Sequence, residues 1–133
     1  MRMRSTVSVA VKPVLLGGEK LALKIALLLF LRYMVSSCVF SKELPFFRKL
    51  LIFARFKELP SSKNDKLTVM ALEHYANEYG DSTYILIPCD EEHAELVWRN
   101  KEILENRFII RTPEEILAQR EIFPLSSTGG KDI

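Results

Sequence analysis

Residues Thr83–Leu104, TYILIPCDEEHAELVWRNKEIL, change periodicity within a few positions. A short apolar run stops at Pro88-Cys89, meets the acidic cluster Asp90-Glu91-Glu92, and continues at helical spacing. Apolar runs of this length bounded by turn signals read as buried strands. The stretch is therefore a strand-to-helix hinge, the place where α/β proteins commonly put ligands.

The same alternation recurs along the chain. Val9–Leu16 is a short apolar run that ends at Gly17-Gly18, and Glu19 opens a helical stretch through about Met34. Ser37–Ser41 (SCVFS) reads as another buried strand. Pro45 and Phe46–Phe53 suggest a short helix, and Ala54–Leu59 an extended segment ending at Pro60. After the loop at Ser61–Asn64, Asn64 or Asp65 caps a helix whose apolar face is Leu67, Met70, Ala71, His74 and Tyr75. Gly80 falls where a C′ glycine would end it.

Beyond the strand Tyr84–Ile87, Asp90 caps a helix with His93, Leu96, Val97, Asn100, Ile103 and Leu104 on its inner face. Arg107–Ile110 is a brief strand, and Thr112-Pro113-Glu114-Glu115 a helix start with a Thr/Glu capping box. This order predicts a Rossmann-like α/β fold, a three-layer parallel sheet with helices on both faces. One domain over residues 9–120 is expected, with a lead at 1–8 and a Ser/Gly-rich disordered tail or linker at 121–133.

Leu21–Phe40 admits other readings. It resembles a membrane span, but Lys24 and Arg32 interrupt it, each costing roughly 2.5–3.5 kcal/mol near a bilayer centre. Val35–Cys38 loosely resembles a lipoprotein cleavage box, with Lys24 and Arg32-Tyr33 breaking the apolar core it needs. As a buried helix in a β-α-β unit, the run accounts for Gly17-Gly18 and for both charges, so a membrane partner is not expected.

A net charge of +2, without a Lys/Arg block interleaved with aromatics, argues against a nucleic-acid partner. Cys38 and Cys89 have no zinc or redox spacing, and reduced core cysteines in a cytoplasmic protein are the expectation. His74 and His93 have no third ligand at matching spacing, so no metal site is assigned. Trp98 and Tyr75 read as packing residues, and the Lys/Arg scatter around Arg48–Lys57 as a solvated face that could meet an acidic partner.

Four residues are candidates for substrate binding: Gly17, Gly18, Asp90 and Glu92. The glycines could cradle a phosphate or carboxylate at a helix N-terminus, although Glu19 would repel it, and a plain tight turn is the simpler reading. Asp90 or Glu92 could accept charge-assisted hydrogen bonds from a substrate amine. The simpler reading is an N-cap and a solvated first turn. Cys89 is expected to be a core thiol and His93 a core or boundary histidine. No catalytic residue is assigned.

Several short motifs, in order, resemble the N-terminal region of carboxylate–amine ligases of the ATP-grasp superfamily. They are PVLLGG at Pro13–Gly18, RFKELP at Arg55–Pro60 with the helix Leu67–Tyr79, the Tyr84–Asn100 stretch, and FIIRTP at Phe108–Pro113. The resemblance spans roughly Val11–Leu117 and implies a Rossmann-like pre-ATP-grasp domain, on the substrate side of a ligase that uses ATP and Mg²⁺. Because the sequence stops where the ATP-grasp part should begin, the expectation is a truncated, substrate-side domain that binds no cofactor and is inactive as a ligase alone. The implied substrate is a small amino acid or amine. The implied partner is a separately encoded ATP-grasp domain or a second copy of the chain.

Overall fold

Among the residues described by the computed structural model (11–42, 52–59, 65–79 and 82–118), five strands form one all-parallel sheet. The elements alternate as the sequence pattern predicts. They are β1 (Val11–Leu16), α1 (Glu19–Tyr33), β2 (Ser37–Ser41), β3 (Ala54–Glu58), α2 (Asp65–Tyr79), β4 (Thr83–Pro88), α3 (Glu91–Arg99), α4 (Lys101–Leu104), β5 (Phe108–Ile110) and α5 (Pro113–Leu117). The spatial order is β3-β2-β1-β4-β5. Chain progression thus reverses between β1 and β4, and a crevice opens beyond the carboxyl ends of these two strands.

Each face of the sheet has its own core. Val14, Leu16, Cys38, Phe40, Tyr84 and Leu86 pack against Val69, Leu72, Tyr75 and Ala76 of α2 and Leu96 and Val97 of α3. Leu15, Val39, Ile85 and Ile87 pack against Ala22, Ile25, Ala26 and Leu29 of α1 and Ile116 of α5. The three-layer Rossmann-like architecture follows, because strands covered on both sides can be apolar at every position. Pro13 is tolerated in the central strand because pairing of β1 with β2 begins only at Val14.

The apolar run Leu21–Phe40 divides into α1 and β2. Lys24 is exposed, and Arg32 donates to the Ile116 carbonyl at 3.1 Å, tying α1 to α5. No helix among the described residues is long and apolar enough to cross a membrane.

Three details differ from the sequence pattern. On α2, Leu67, Met70 and His74 are exposed, and the buried side is Thr68, Val69, Leu72, Tyr75 and Ala76. An edge-to-face chain of rings, Phe40–Tyr75–Tyr84–Phe108, sets that rotation. The Tyr84 hydroxyl also donates to the Ala76 carbonyl at 2.9 Å.

Next, the helix from Glu91 breaks at Asn100, leaving Ile103 exposed while Leu104 is buried. The Asn100 side-chain amide donates to the Leu96 carbonyl at 2.8 Å and to Asp65 Oδ2 at 3.2 Å. Arg99 donates to both oxygens of Asp65, which holds that carboxyl below its usual range. Finally, the strand expected from Arg107 starts at Phe108, because the Arg107 amide donates to the Leu104 carbonyl at 3.1 Å and closes a turn. Most of the helix expected at Phe46–Phe53, the loop before Asp65, Gly80 and the tail lie outside the described residues.

Candidate functional site

The crevice at the reversal point is built by two chain turns that touch. At the end of β1, Gly17 and Gly18 both take left-handed conformations, with φ of 73° and 53°. The turn is pinned on both sides: the Gly17 amide donates to the Phe40 carbonyl and the Cys89 amide to the Leu16 carbonyl, each at 2.9 Å. A side chain at Gly17 would run into the Asp90 carboxylate and the His93 ring, and one at Gly18 into the Cys89 carbonyl. The glycines are therefore required by close approach as well as by φ.

Asp90 is the hub of the site. Its Oδ2 accepts from the Gly18 amide at 3.0 Å, and its Oδ1 accepts from the His93 amide at 2.8 Å as the N-cap of α3. The same Oδ1 lies 2.7 Å from Nδ1 of the His93 ring. An ionised carboxylate only accepts, so in this contact Nδ1 carries the hydrogen. His93 is 2% exposed, whereas about a third of the Asp90 side chain is open to solvent (35%).

Gly17, Gly18, Glu19, Lys42, Asp90 and His93 line a cavity of about 360 Å³. Glu19 accepts from the Ser41 hydroxyl at 2.7 Å, and Lys42 lies 3.6 Å from Glu92, both of them exposed. The expected site residues thus fall in one place. Gly17, Gly18 and Asp90 form the wall, and Glu92 stands outside the lining and reaches it through Lys42. The Gly17 and Gly18 amides are both donated within the protein, so the pair offers a ligand close approach rather than a cradle of free donors.

Sequence reasoning passed over Lys42 and the Ser41–Glu19 pair. The available signal was position, since residues just past the carboxyl end of a parallel strand line the crevice, and Lys42 directly follows β2.

Cys89 abuts this site as a core thiol. It is 6% exposed, its Sγ lies 3.5 Å from the Ile87 carbonyl, and burial pushes its pKa up to about 12. A thiol held neutral in this way is a poor nucleophile.

Among the described residues there is no group of three or more His, Cys, Asp or Glu side chains that could hold a metal ion, and the glycine amides are already engaged. What the arrangement offers is a small crevice lined by two carboxylates, Glu19 and Asp90, and the ammonium of Lys42. That distribution suits a zwitterion or a primary amine. Searches against protein-family models, curated proteins and solved structures find no match to this chain.

Proposed function

We propose that this domain holds a small amino acid or amine at the carboxyl ends of β1 and β4. In this reading it is the substrate-side, pre-ATP-grasp domain of a cytoplasmic ATP-dependent carboxylate–amine ligase, and it is inactive as a ligase alone. The observation that carries the reading is the reversal of strand order between β1 and β4, with Gly17, Gly18 and Asp90 at that point. The motifs that resemble the ligase family support it, because they fall on β1, β3, β4 and β5, the strands that frame the sheet. Asp90 and Glu19 would take the substrate ammonium and Lys42 its carboxylate, by charge-assisted hydrogen bonds. ATP and Mg²⁺ belong to the companion domain.

Calorimetric titration with a panel of amino acids and primary amines tests this. Binding of at least one member is expected, weakened in Glu19→Gln, which keeps an acceptor for Ser41 but loses the charge, and in Asp90→Asn. Absence of binding across the panel, or binding indifferent to both variants, would sink the substrate reading. Amine-dependent ATP hydrolysis by the chain alone would sink the requirement for a second domain.

A second reading, a non-catalytic interaction module, is favoured by the apolar side chains gathered where α1 ends. Leu31 (65% exposed), Met34 (74%) and Ile52 (76%) present bare surface there. A separately encoded ATP-grasp chain is the partner this reading names. Co-elution with such a chain, lost in Leu31→Ser, supports it, and independent elution removes it.

A further inference from the structure

The face of the sheet covered by α2 carries a second concave site, along the edge strand β3. Strands buried on both faces of a parallel sheet read as unbroken apolar runs. Val14–Leu16 and Tyr84–Ile87 do so, and β3 does not. Arg55 pairs in register with Cys38 and Lys57 with Phe40, and Cys38 and Phe40 belong to the core beneath α2. Alternation along the strand therefore places both cations on that face. Lys12, two residues before Val14, takes the same face of β1.

Lys12, Arg55 and Lys57 line a cavity of about 480 Å³ together with Ser36, Cys38 and Tyr75. Arg55 and Lys57 stand about 7 Å apart on one face of the edge strand, and Lys12, two strands away and two residues short of the level of Arg55, lies about 12 Å from it. Lys57 Nζ lies 5.7 Å from the centre of the Tyr75 ring. Tyr75 hydrogen-bonds the Cys38 thiol, so the floor of the cavity is uncharged. Arg55, Lys57 and the acidic Glu78 of α2 all act electrostatically on that thiol. Arg55 and Lys57 thus bring a guanidinium and an ammonium to one concavity, and an anion between them is favoured by Coulomb attraction to both.

We propose that this cavity binds a compact anion bearing one or two phosphate groups, gripped by Arg55 and Lys57. A phosphate offers a guanidinium fork two acceptor oxygens and keeps a third for the ammonium, whereas a carboxylate has only two oxygens in all. The site shares no lining residue with the Gly17–Asp90 crevice and does not rest on the function proposed for that crevice.

The test is a ¹H–¹⁵N NMR titration of the full chain with pyrophosphate, ionic strength being held constant with sodium chloride. Saturable shifts are expected at the amides of Ser36, Cys38, Arg55 and Lys57. Affinity should fall roughly tenfold or more in the double variant Arg55→Gln/Lys57→Gln, as the loss of two charge-assisted hydrogen bonds implies. It should be retained in Lys20→Gln/Lys24→Gln, which removes equal charge from exposed positions on α1. Non-saturating shifts, shifts elsewhere on the fold, or equal weakening by the α1 pair would reduce the cavity to a solvated basic face. Malonate binding as tightly as pyrophosphate would overturn the assignment to phosphate.

Discussion

At the scale of single residues, Gly17 has the narrowest tolerance among the positions that build the crevice. Its φ of 73° is a conformation that side chains resist, and its Cα faces Asp90 and His93 with no room for a methyl. Gly17→Ala therefore combines backbone strain with a clash against a hydrogen-bonded carboxylate. A loss of about 2 kcal/mol or more is expected, read as a lower urea midpoint at unchanged slope. Asp90→Ala removes the obstructing carboxylate, so the double variant should lose less than the sum of the two single variants. Strict additivity would show that the contact with Asp90 is not the reason for the glycine.

At the scale of elements, rotation about the helix axis decides which substitutions matter on α2. Leu72 is fully buried, whereas Met70 is 54% exposed although both are apolar. Leu72→Ala should cost about 2–5 kcal/mol and Met70→Gln less than about 0.5 kcal/mol. Equal costs would mean that the helix is rotated from the position described above. This contrast also marks how far elements can be read from sequence. The strands, the start of α1, the Asp90 cap and the Thr112 capping box are all local signals, and each holds in the structure. The face of α2 is not a local property. Leu67 and Met70 extend one stripe and Val69 and Leu72 a neighbouring one, and only the rings of Phe40, Tyr84 and Phe108 select between them. The site follows the same division. Asp90 and the glycine pair were visible as a cap and a turn, whereas their contact joins positions 72 residues apart, and the Lys42 wall depends on strand order.

At the scale of the whole molecule, the two cores each enclose one thiol, and this gives the fold a pH dependence on the alkaline side. Cys38 lies beneath α2 and Cys89 beneath α1, and burial raises their pKa values from 9.0 to about 11 and about 12. In the unfolded chain both thiols lose their protons near the ordinary value, while in the native state they keep them. Above that value the unfolded state binds fewer protons than the native one, so stability falls as pH rises. The stabilisation is fully present below pH 9.0 and is lost progressively toward the folded-state values of about 11 and 12. Each thiol contributes a slope approaching about 1.4 kcal/mol per pH unit within that window. Lysines and tyrosines titrate in the same range, so the measurement is a comparison. Denaturant-unfolding free energies are followed from pH 8 to 11 for the native chain and for Cys38→Ala/Cys89→Ala. The variant should start less stable, because two buried side chains are truncated, yet lose stability more slowly with pH. Parallel curves would mean that both thiols ionise as readily in the native state as in the unfolded chain, and that neither core excludes water from its cysteine.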